Sequence, residues 1–187
     1  MSQTNGYEMK IEIVDYDPTW PDLFRQTALP IRQVLGDVAL RINHIGSTSV
    51  PGAAAKPVID IQISVRALEP LADFHQPLES LGYVWRADND DKTKRFFREP
   101  PETHRTHIHV RELGSWAEQQ ALLFRDYLRA HPADVAEYVA LKRRLAQEFA
   151  DNREAYTDAK GPLIWQVMMR ANTWSQFTGW RPGPSDV

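Results

Sequence analysis

The chain of 187 residues contains no cysteine, which excludes disulfide bonds and zinc sites built on thiolates. It has no run of about 18 apolar residues, the length that a membrane-spanning helix requires. The N-terminal segment MSQTNGYEMK lacks the apolar stretch of a signal peptide. These absences predict a cytoplasmic protein with no membrane partner.

A large excess of charge of either sign is also missing. Lysine and arginine number 22, aspartate and glutamate number 25, and the formal net charge is -3. This balance argues against a protein that coats nucleic acid, because such proteins are usually basic, but it allows a local basic patch for a nucleotide or an RNA end. The hydrophobic fraction of 42% and the charged fraction of 25% are typical of a soluble globular protein.

The first part of the chain alternates strand and helix patterns. The β-branched segment PVIDIQISV, at 57–65, gives the strongest strand pattern. A helix is expected from Thr19 to Leu35, kinked or split at Pro30 because proline lacks the amide hydrogen. The other predicted elements are strands at 9–13, 40–45, 82–86, 93–98 and 106–113, with 82–86 and 93–98 forming a hairpin, and a helix at 67–80.

After Gly114 the pattern becomes helical. Ser115 and Glu118 have the spacing of a capping box, which predicts a helix start. This helix ends before His131, and two more are expected at 133–151 and 153–174, the second kinked at Gly161-Pro162. One domain, 1–187, is therefore predicted, with an α/β core at 8–114, C-terminal helices at 115–178 packed on it, and loose ends at 1–8 and 181–187.

The segment HIGSTSVPGAAAKPVIDI, which begins at His44, combines residue types that bind phosphate. Gly46 lets backbone amides approach an anion closely, and Lys56 adds a positive charge. Hydroxyl donors are present at Ser47, Thr48 and Ser49. Asp60 follows in an apolar strand, where a carboxylate is costly to bury unless it is paired or holds a metal ion. The Gly-Ser-Thr-Ser run is also compatible with an ordinary loop whose side chains bond to its own backbone.

This segment resembles the signature of the GrpB family, also called UPF0157, which is assigned to the nucleotidyltransferase superfamily. The resemblance extends over nearly the whole chain. Further matching segments are 16–20, 106–110, 124–129 and 138–142, together with Arg153, Tyr156 and Lys160. The resemblance implies an α/β fold with a nucleotidyltransferase-like mixed β-sheet flanked by helices and with the C-terminal helical segment packed on it.

Nucleotidyltransferases hold one or two divalent ions with two or three carboxylates. The resemblance implies that Gly46 and Ser47 hold phosphate oxygens and that Asp60 is the first metal ligand. The second carboxylate of the superfamily falls on Gln62, which offers only a neutral oxygen. A site for two magnesium ions is therefore not expected, since magnesium prefers charged oxygen ligands. Gln62 is retained as a predicted substrate contact, together with Thr48 and Ser49.

His107 and His109 alternate onto one face of a predicted strand. With Asp60 they would form a carboxylate–imidazole set, which suits manganese, zinc or iron better than magnesium. The predicted cofactor is a divalent metal ion, with magnesium, manganese and zinc left open. The alternative interpretation is that the histidines only form hydrogen bonds within the sheet.

Basic residues supply the remaining predictions. Lys56 is predicted to act with Asp60 and Ser47 in catalysis, and Lys160 is an alternative cation for the transferred group. Lys160 and Arg153 match the family motif and are predicted substrate contacts. Alternatively, these side chains are solvated or paired with a nearby carboxylate, as most helix cations are.

The leading hypothesis is a metal-dependent enzyme that binds a nucleoside triphosphate and transfers a nucleotidyl group to a small molecule or protein hydroxyl. A second hypothesis, from a similarity to fungal cyclodipeptide synthases, is an enzyme that uses aminoacyl-tRNA and acyl chemistry. A third is a nucleotide-binding module without catalysis, because Gln62 replaces a carboxylate. The sequence assigns neither the acceptor, the base preference nor the oligomeric state.

Overall fold

The computed structural model describes residues 10–187. The strands of this part of the chain are β1 (Arg41–Ile45), β2 (Ile59–Val65), β3 (Val84–Trp85), β4 (Lys94–Arg98) and β5 (Thr106–Glu112). The α-helices are α1 (Trp20–Leu35), α2 (Ala72–Ser80), α3 (Trp116–Ala130), α4 (Pro132–Glu148), α5 (Arg153–Ala159) and α6 (Gly161–Thr178). Among residues 10–187, each helix is too short or too polar to span a membrane.

The strands form one mixed sheet in the order β1-β2-β5-β4-β3. β2 and β5 run parallel, whereas every other neighbouring pair is antiparallel. The register places Asp60 opposite His107 on one side and opposite Ile45 on the other. Because Gly46 directly follows Ile45, the sheet brings the glycine-serine loop and the histidine strand to either side of the same aspartate.

One face of the sheet carries the main hydrophobic core. Ile61, Ile63 and Ile108 alternate onto this face and pack against Phe24 of α1 and Phe74 of α2. Each such buried side chain contributes about 1.5–3 kcal/mol by leaving water. A slip of one residue in β2 would exchange the two faces, so the burial of this apolar row also fixes the orientation of Asp60.

The opposite face of the sheet is polar. Its side chains include Asp60, Gln62 and Ser64 of β2 and His107, His109 and Arg111 of β5. α3 covers part of this face through Glu118, which is fully buried and accepts a hydrogen bond from the Ser64 hydroxyl at 2.8 Å. The capping residue predicted for this helix is present, since the Glu118 amide donates to Ser115 Oγ at 3.3 Å.

Several elements differ from the sequence predictions. The pattern at 9–13 forms no strand within the described residues, and Val14 makes only an isolated bridge to Ala55. Pro30 does not split α1, because it lies on the exposed side of the helix, where water can satisfy the freed carbonyl. The predicted helix at 153–174 is broken into α5 and α6 at Lys160.

The prediction of a loose C-terminal end is wrong. The Asp186 amide donates to the Ile42 carbonyl at 3.0 Å, and its carboxylate accepts from the His44 amide at 2.8 Å. Arg125 of α3 donates to the same carboxylate at 3.0 Å. The tail therefore covers the free edge of β1, which would otherwise expose unpaired backbone groups. The corresponding prediction for 1–8 lies outside the described residues.

Candidate active site

A cluster of one carboxylate and two imidazoles lies on the polar face of the sheet. Asp60 Oδ1 lies 3.1 Å from His107 Nδ1 and 3.4 Å from His109 Nε2. One ligand atom from each residue falls within 4.8 Å of the other two, close enough to surround one metal ion. The second nitrogen of each ring, His107 Nε2 and His109 Nδ1, is buried without a hydrogen-bond partner. The structure thus brings together the three predicted metal ligands.

The charge state of this cluster follows from its hydrogen bonds. Burial alone would raise the pKa of Asp60, but hydrogen bonds from His107 and His109 hold that pKa well below its usual range. Burial lowers the pKa of His109 to about 4, although Asp60 opposes this change. At neutral pH the site therefore contains an ionised carboxylate beside a neutral His109 imidazole, the forms that bind metal ions.

Gly46 lies in direct contact with Asp60. Its φ of 71° falls in the left-handed region, and a Cβ atom at this position would collide with the Asp60 carboxylate. Only glycine therefore allows the loop to approach the carboxylate so closely. The structure therefore places the glycine-serine loop beside Asp60, as the sequence predicts.

The three hydroxyl groups of the loop point to different places. Ser47 Oγ accepts a hydrogen bond from Lys142 Nζ at 3.0 Å. Thr48 is buried and donates to the Val58 carbonyl at 3.1 Å, and Ser49 donates to the Gly46 carbonyl at 2.6 Å. Thr48 and Ser49 therefore stabilise the loop itself, whereas Ser47 faces the helices that pack on the polar face. The functional role predicted for the three residues stays a prediction.

Three lysine side chains lie within electrostatic range of one another, and we call them the lysine cluster: Lys56, Lys142 and Lys160. Of the three, Lys142 contacts Ser47. Lys56 Nζ and Lys160 Nζ lie 5.0 and 4.4 Å from the centre of the Tyr156 ring, and Lys142 Nζ lies 4.4 Å from that of Tyr138. Lys142 is only 2% exposed. Within residues 10–187, none of the three forms an ion pair with a carboxylate.

The lysine cluster carries repelling charges in a partly desolvated place. Burial, followed by repulsion from Lys160 and Lys56, lowers the pKa of Lys142 to about 7. Burial, followed by repulsion from Lys160 and Arg153, lowers the pKa of Lys56 to about 8. The pKa of Lys160 is also lowered, mainly by burial. Such a cluster is costly for the protein alone and becomes favourable when an anion binds to it.

Gln62 is fully buried, and both ends of its amide are occupied. Its Oε1 accepts from Arg111 Nη1 at 2.6 Å, and its Nε2 donates to the Glu118 carbonyl at 3.2 Å. It therefore supplies no second carboxylate for a pair of magnesium ions. These hydrogen bonds do not test the prediction that Gln62 contacts the substrate.

Arg153 lies next to the lysine cluster, within electrostatic range of Lys56 and Lys160. It is exposed at the start of α5 and has no ion pair with a carboxylate among residues 10–187. Its pKa is lowered by burial of the guanidinium and then by repulsion from Arg98 and Arg105. Together with Lys56, it lines a small cavity beside the sheet.

The structure adds Lys142 to the predicted site residues. The sequence analysis includes this residue only within the family match at 138–142. A signal was available, because Lys142 occupies the apolar stripe of α4, which is otherwise formed by Val135, Tyr138 and Leu145. A lysine in such a stripe must either extend to solvent or find a partner within the protein.

The fold and the site together define a protein with a nucleotidyltransferase-like α/β fold. The Cid1 poly(U) polymerase with bound magnesium and 3'-dATP superposes with a TM-score of 0.54 over 78% of this chain and 49% of that one. Sequence identity over this match is 12%, so the similarity extends to the fold alone. The predicted fold class is confirmed.

The chain belongs to the GrpB family, since residues 10–170 match the family model described as GrpB protein. The crystal structure of conserved protein GrpB from Enterococcus faecalis superposes with a TM-score of 0.79 and 32% identity, covering 87% of this chain and 99% of that chain. The resemblance identified from the sequence is therefore confirmed.

Curated relatives include proteins of different lengths. UPF0157 protein BH1888 from Halalkalibacterium halodurans is 39% identical, and the match covers 92% of this chain and 88% of that protein. UPF0157 protein YqkA from Bacillus subtilis is 36% identical over 89% of this chain. A protein named dephospho-CoA kinase from Mycobacterium tuberculosis is 33% identical over 91% of this chain. The chain spans about half the length of these last two relatives, 49% and 48%.

Proposed function

We propose that the polar face of the sheet binds the polyphosphate part of a nucleoside triphosphate and supports transfer of its nucleotidyl group. The observation that carries this proposal is the lysine cluster, three partly or fully buried cations without a carboxylate partner in the described chain. A triphosphate would supply the negative charge that these lysines lack. The nucleotidyltransferase-like fold supports the same substrate class.

The glycine-serine loop and the lysine cluster would share the phosphate groups. Gly46 brings the loop against the Asp60 carboxylate, and Ser47 connects the loop to Lys142 through the 3.0 Å hydrogen bond. Fixed donors and cations of this kind stabilise the charge that develops on a transferred phosphoryl centre. Ser47 and Lys56 keep their predicted catalytic roles within this proposal.

Asp60, His107 and His109 would hold one divalent cation. A set of one carboxylate and two imidazoles suits zinc, manganese or iron. The ring nitrogens His107 Nε2 and His109 Nδ1, which are buried without a hydrogen-bond partner, fit a site that rearranges when a cation binds. The residues do not fit the two-magnesium arrangement, because Gln62 is neutral and bonded at both ends. A bound cation would neutralise phosphate charge and act as a Lewis acid.

A thermal-shift experiment tests the proposal. Nucleoside triphosphates and inorganic triphosphate, each with magnesium, manganese or zinc, should raise the melting temperature, because a ligand that binds only the folded state stabilises it. Lys160→Met should weaken this effect, whereas the exposed Arg66→Met, at the far end of β2, should not. If no nucleotide raises the melting temperature with any metal, nucleotide binding is refuted and the aminoacyl hypothesis moves ahead.

A second candidate is a nucleotide-binding module that does not transfer a nucleotidyl group. The buried neutral Gln62 favours it, and so does the match to half of proteins named dephospho-CoA kinase, in which this domain would accompany a kinase. Incubation with labelled nucleoside triphosphates and a mixture of hydroxyl acceptors separates the two candidates. Binding without any release of pyrophosphate would favour the module.

A further inference from the structure

A small basic cavity lies beside the site, separate from most of the lysine cluster. Its volume is about 70 Å³, and its charged lining residues are Lys10, Glu12, Lys56, Arg105 and Arg153. A cavity of this size holds a few water molecules or one small polar group. Four of the five charged lining residues are therefore cations around a space that suits a single anionic group.

The cations of this cavity form no ion pairs within the described chain, although Glu12 lines the cavity and Asp60 and Glu99 lie within electrostatic range of Arg153. Within the described chain, neither Arg105 nor Arg153 forms an ion pair with a carboxylate, and Glu12 makes none with Lys10. Arg153 instead lies within repulsive range of Arg98 and Arg105. Like charges gathered around a cavity raise the local concentration of anions and favour their binding.

The cavity lies at the end of the sheet that contains the metal-ligand cluster. The parallel strands β2 and β5 enter the sheet side by side, and the Ile59 amide donates to the Arg105 carbonyl at 2.9 Å. Asp60 and His107 are the second residues of these strands. Arg105 is therefore only two residues, about 7 Å of strand, from His107. An anion in the cavity would have the rest of its molecule within reach of Asp60.

We propose that this cavity binds a phosphate group of the acceptor, so that the acceptor is a phosphorylated small molecule. This inference rests on the proposed function, in which Lys142 and Lys160 bind the triphosphate. Neither of these residues lines the cavity, and Lys56 lies between the two groups. Arg105 and Arg153 favour phosphate because the guanidinium group matches phosphate oxygens in two parallel hydrogen bonds.

The cavity size and the net charge select a small acceptor over an extended nucleic acid. A polynucleotide requires a continuous basic surface along several phosphates, whereas this cavity suits one group and the chain carries a net charge of -3.

Binding of inorganic phosphate, measured by titration calorimetry on the full chain, tests the inference. The wild type should bind phosphate while a saturating concentration of inorganic triphosphate is present. The double variant Arg105→Ala/Arg153→Ala should bind phosphate about tenfold or more weakly, because two charged hydrogen-bond donors are lost. Arg66→Ala, which removes an exposed charge after Val65 at the opposite end of β2, is the matched control and should bind as the wild type.

Three results would overturn the inference. The first is that triphosphate fully displaces phosphate. The second is that the wild type and the double variant bind phosphate equally well at equal melting temperatures. The third is that acetate displaces phosphate equally well at the same ionic strength. The last result would mean that the cavity binds any anion. If instead nucleotides fail to bind while phosphate binding depends on Arg105 and Arg153, the proposed function fails, and the acceptor assignment fails with it.

Discussion

Lys142→Met is expected to stabilise the free protein and to remove its response to triphosphate. The pKa of Lys142 falls from its ordinary value of 10.5 to about 7 in the folded state. At about 1.36 kcal/mol per pKa unit, a charged Lys142 costs the fold at most about 5 kcal/mol below pH 7. Its removal also deprives the Ala54 carbonyl of a donor, which costs about 1–3 kcal/mol. The variant should therefore be more stable than the wild type at pH 6, by at most about 2–4 kcal/mol.

The pH dependence of this effect has a defined sign. Because folding lowers the pKa of Lys142, the wild type gains stability as pH rises between about 7 and 10.5, where the folded state releases its proton first. The methionine variant has no such proton. Its advantage in free energy of unfolding should be largest at pH 6 and should shrink by about 2–3 kcal/mol by pH 9.

Urea unfolding at pH 6 and pH 9, with and without inorganic triphosphate, measures both effects. Arg144→Met, two residues along α4 and exposed, provides a control for the loss of one charge from the same helix. Triphosphate should stabilise the wild type and Arg144→Met but not Lys142→Met. The reasoning is refuted if Lys142→Met is clearly less stable than the wild type at pH 6 and still responds to triphosphate, since Lys142 would then be a structural residue.

Three further substitutions test the surroundings of the site. Gly46→Ala should lower the free energy of unfolding by at least about 1–2 kcal/mol in a urea titration and abolish cation binding, because its Cβ would collide with Asp60 at a positive φ. Gln62→Glu should lower the free energy of unfolding by about 1–3 kcal/mol in the same assay, since it removes the donor to the Glu118 carbonyl. If this substitution strongly raises pyrophosphate release, the native protein is a binding module. Asp186→Ala should also cost about 1–3 kcal/mol and lower the melting temperature, and an unchanged value would show that the tail does not hold β1.

The sequence predicts the sheet and the metal-ligand cluster because both depend on local patterns. Alternation places Asp60 on one side of β2 and His107 and His109 on one side of β5, and the parallel pairing of these strands brings the two rows together. Alternation alone does not show that β2 and β5 are neighbours in the sheet, and the family resemblance indicates that they are. Most predicted elements therefore lie within a few residues of their observed bounds.

Contacts between distant segments could not be predicted in the same way. Lys142 reaches Ser47 across 95 positions of the chain, and Asp186 reaches His44 across 142. Composition indicates a loose tail, but the free edge of β1 offers unpaired backbone groups that the tail satisfies. The partners of Gln62 likewise come from α3 and β5, so its sequence position shows only that a carboxylate is missing.

The charges of the polar face point to a ligand with two kinds of binding group. Asp60 is held ionised by hydrogen bonds from His107 and His109, while burial and repulsion from Lys160 and Lys56 lower the pKa of Lys142. Direct pairing would have neutralised both, yet the lysines contact tyrosine rings and loop oxygens instead of the carboxylate. Maintaining this separation costs stability, as the lowered pKa of Lys142 shows. A polyphosphate on the lysines would relieve this cost, and a cation on the carboxylate would place positive charge beside the same polyphosphate, so each should strengthen the binding of the other.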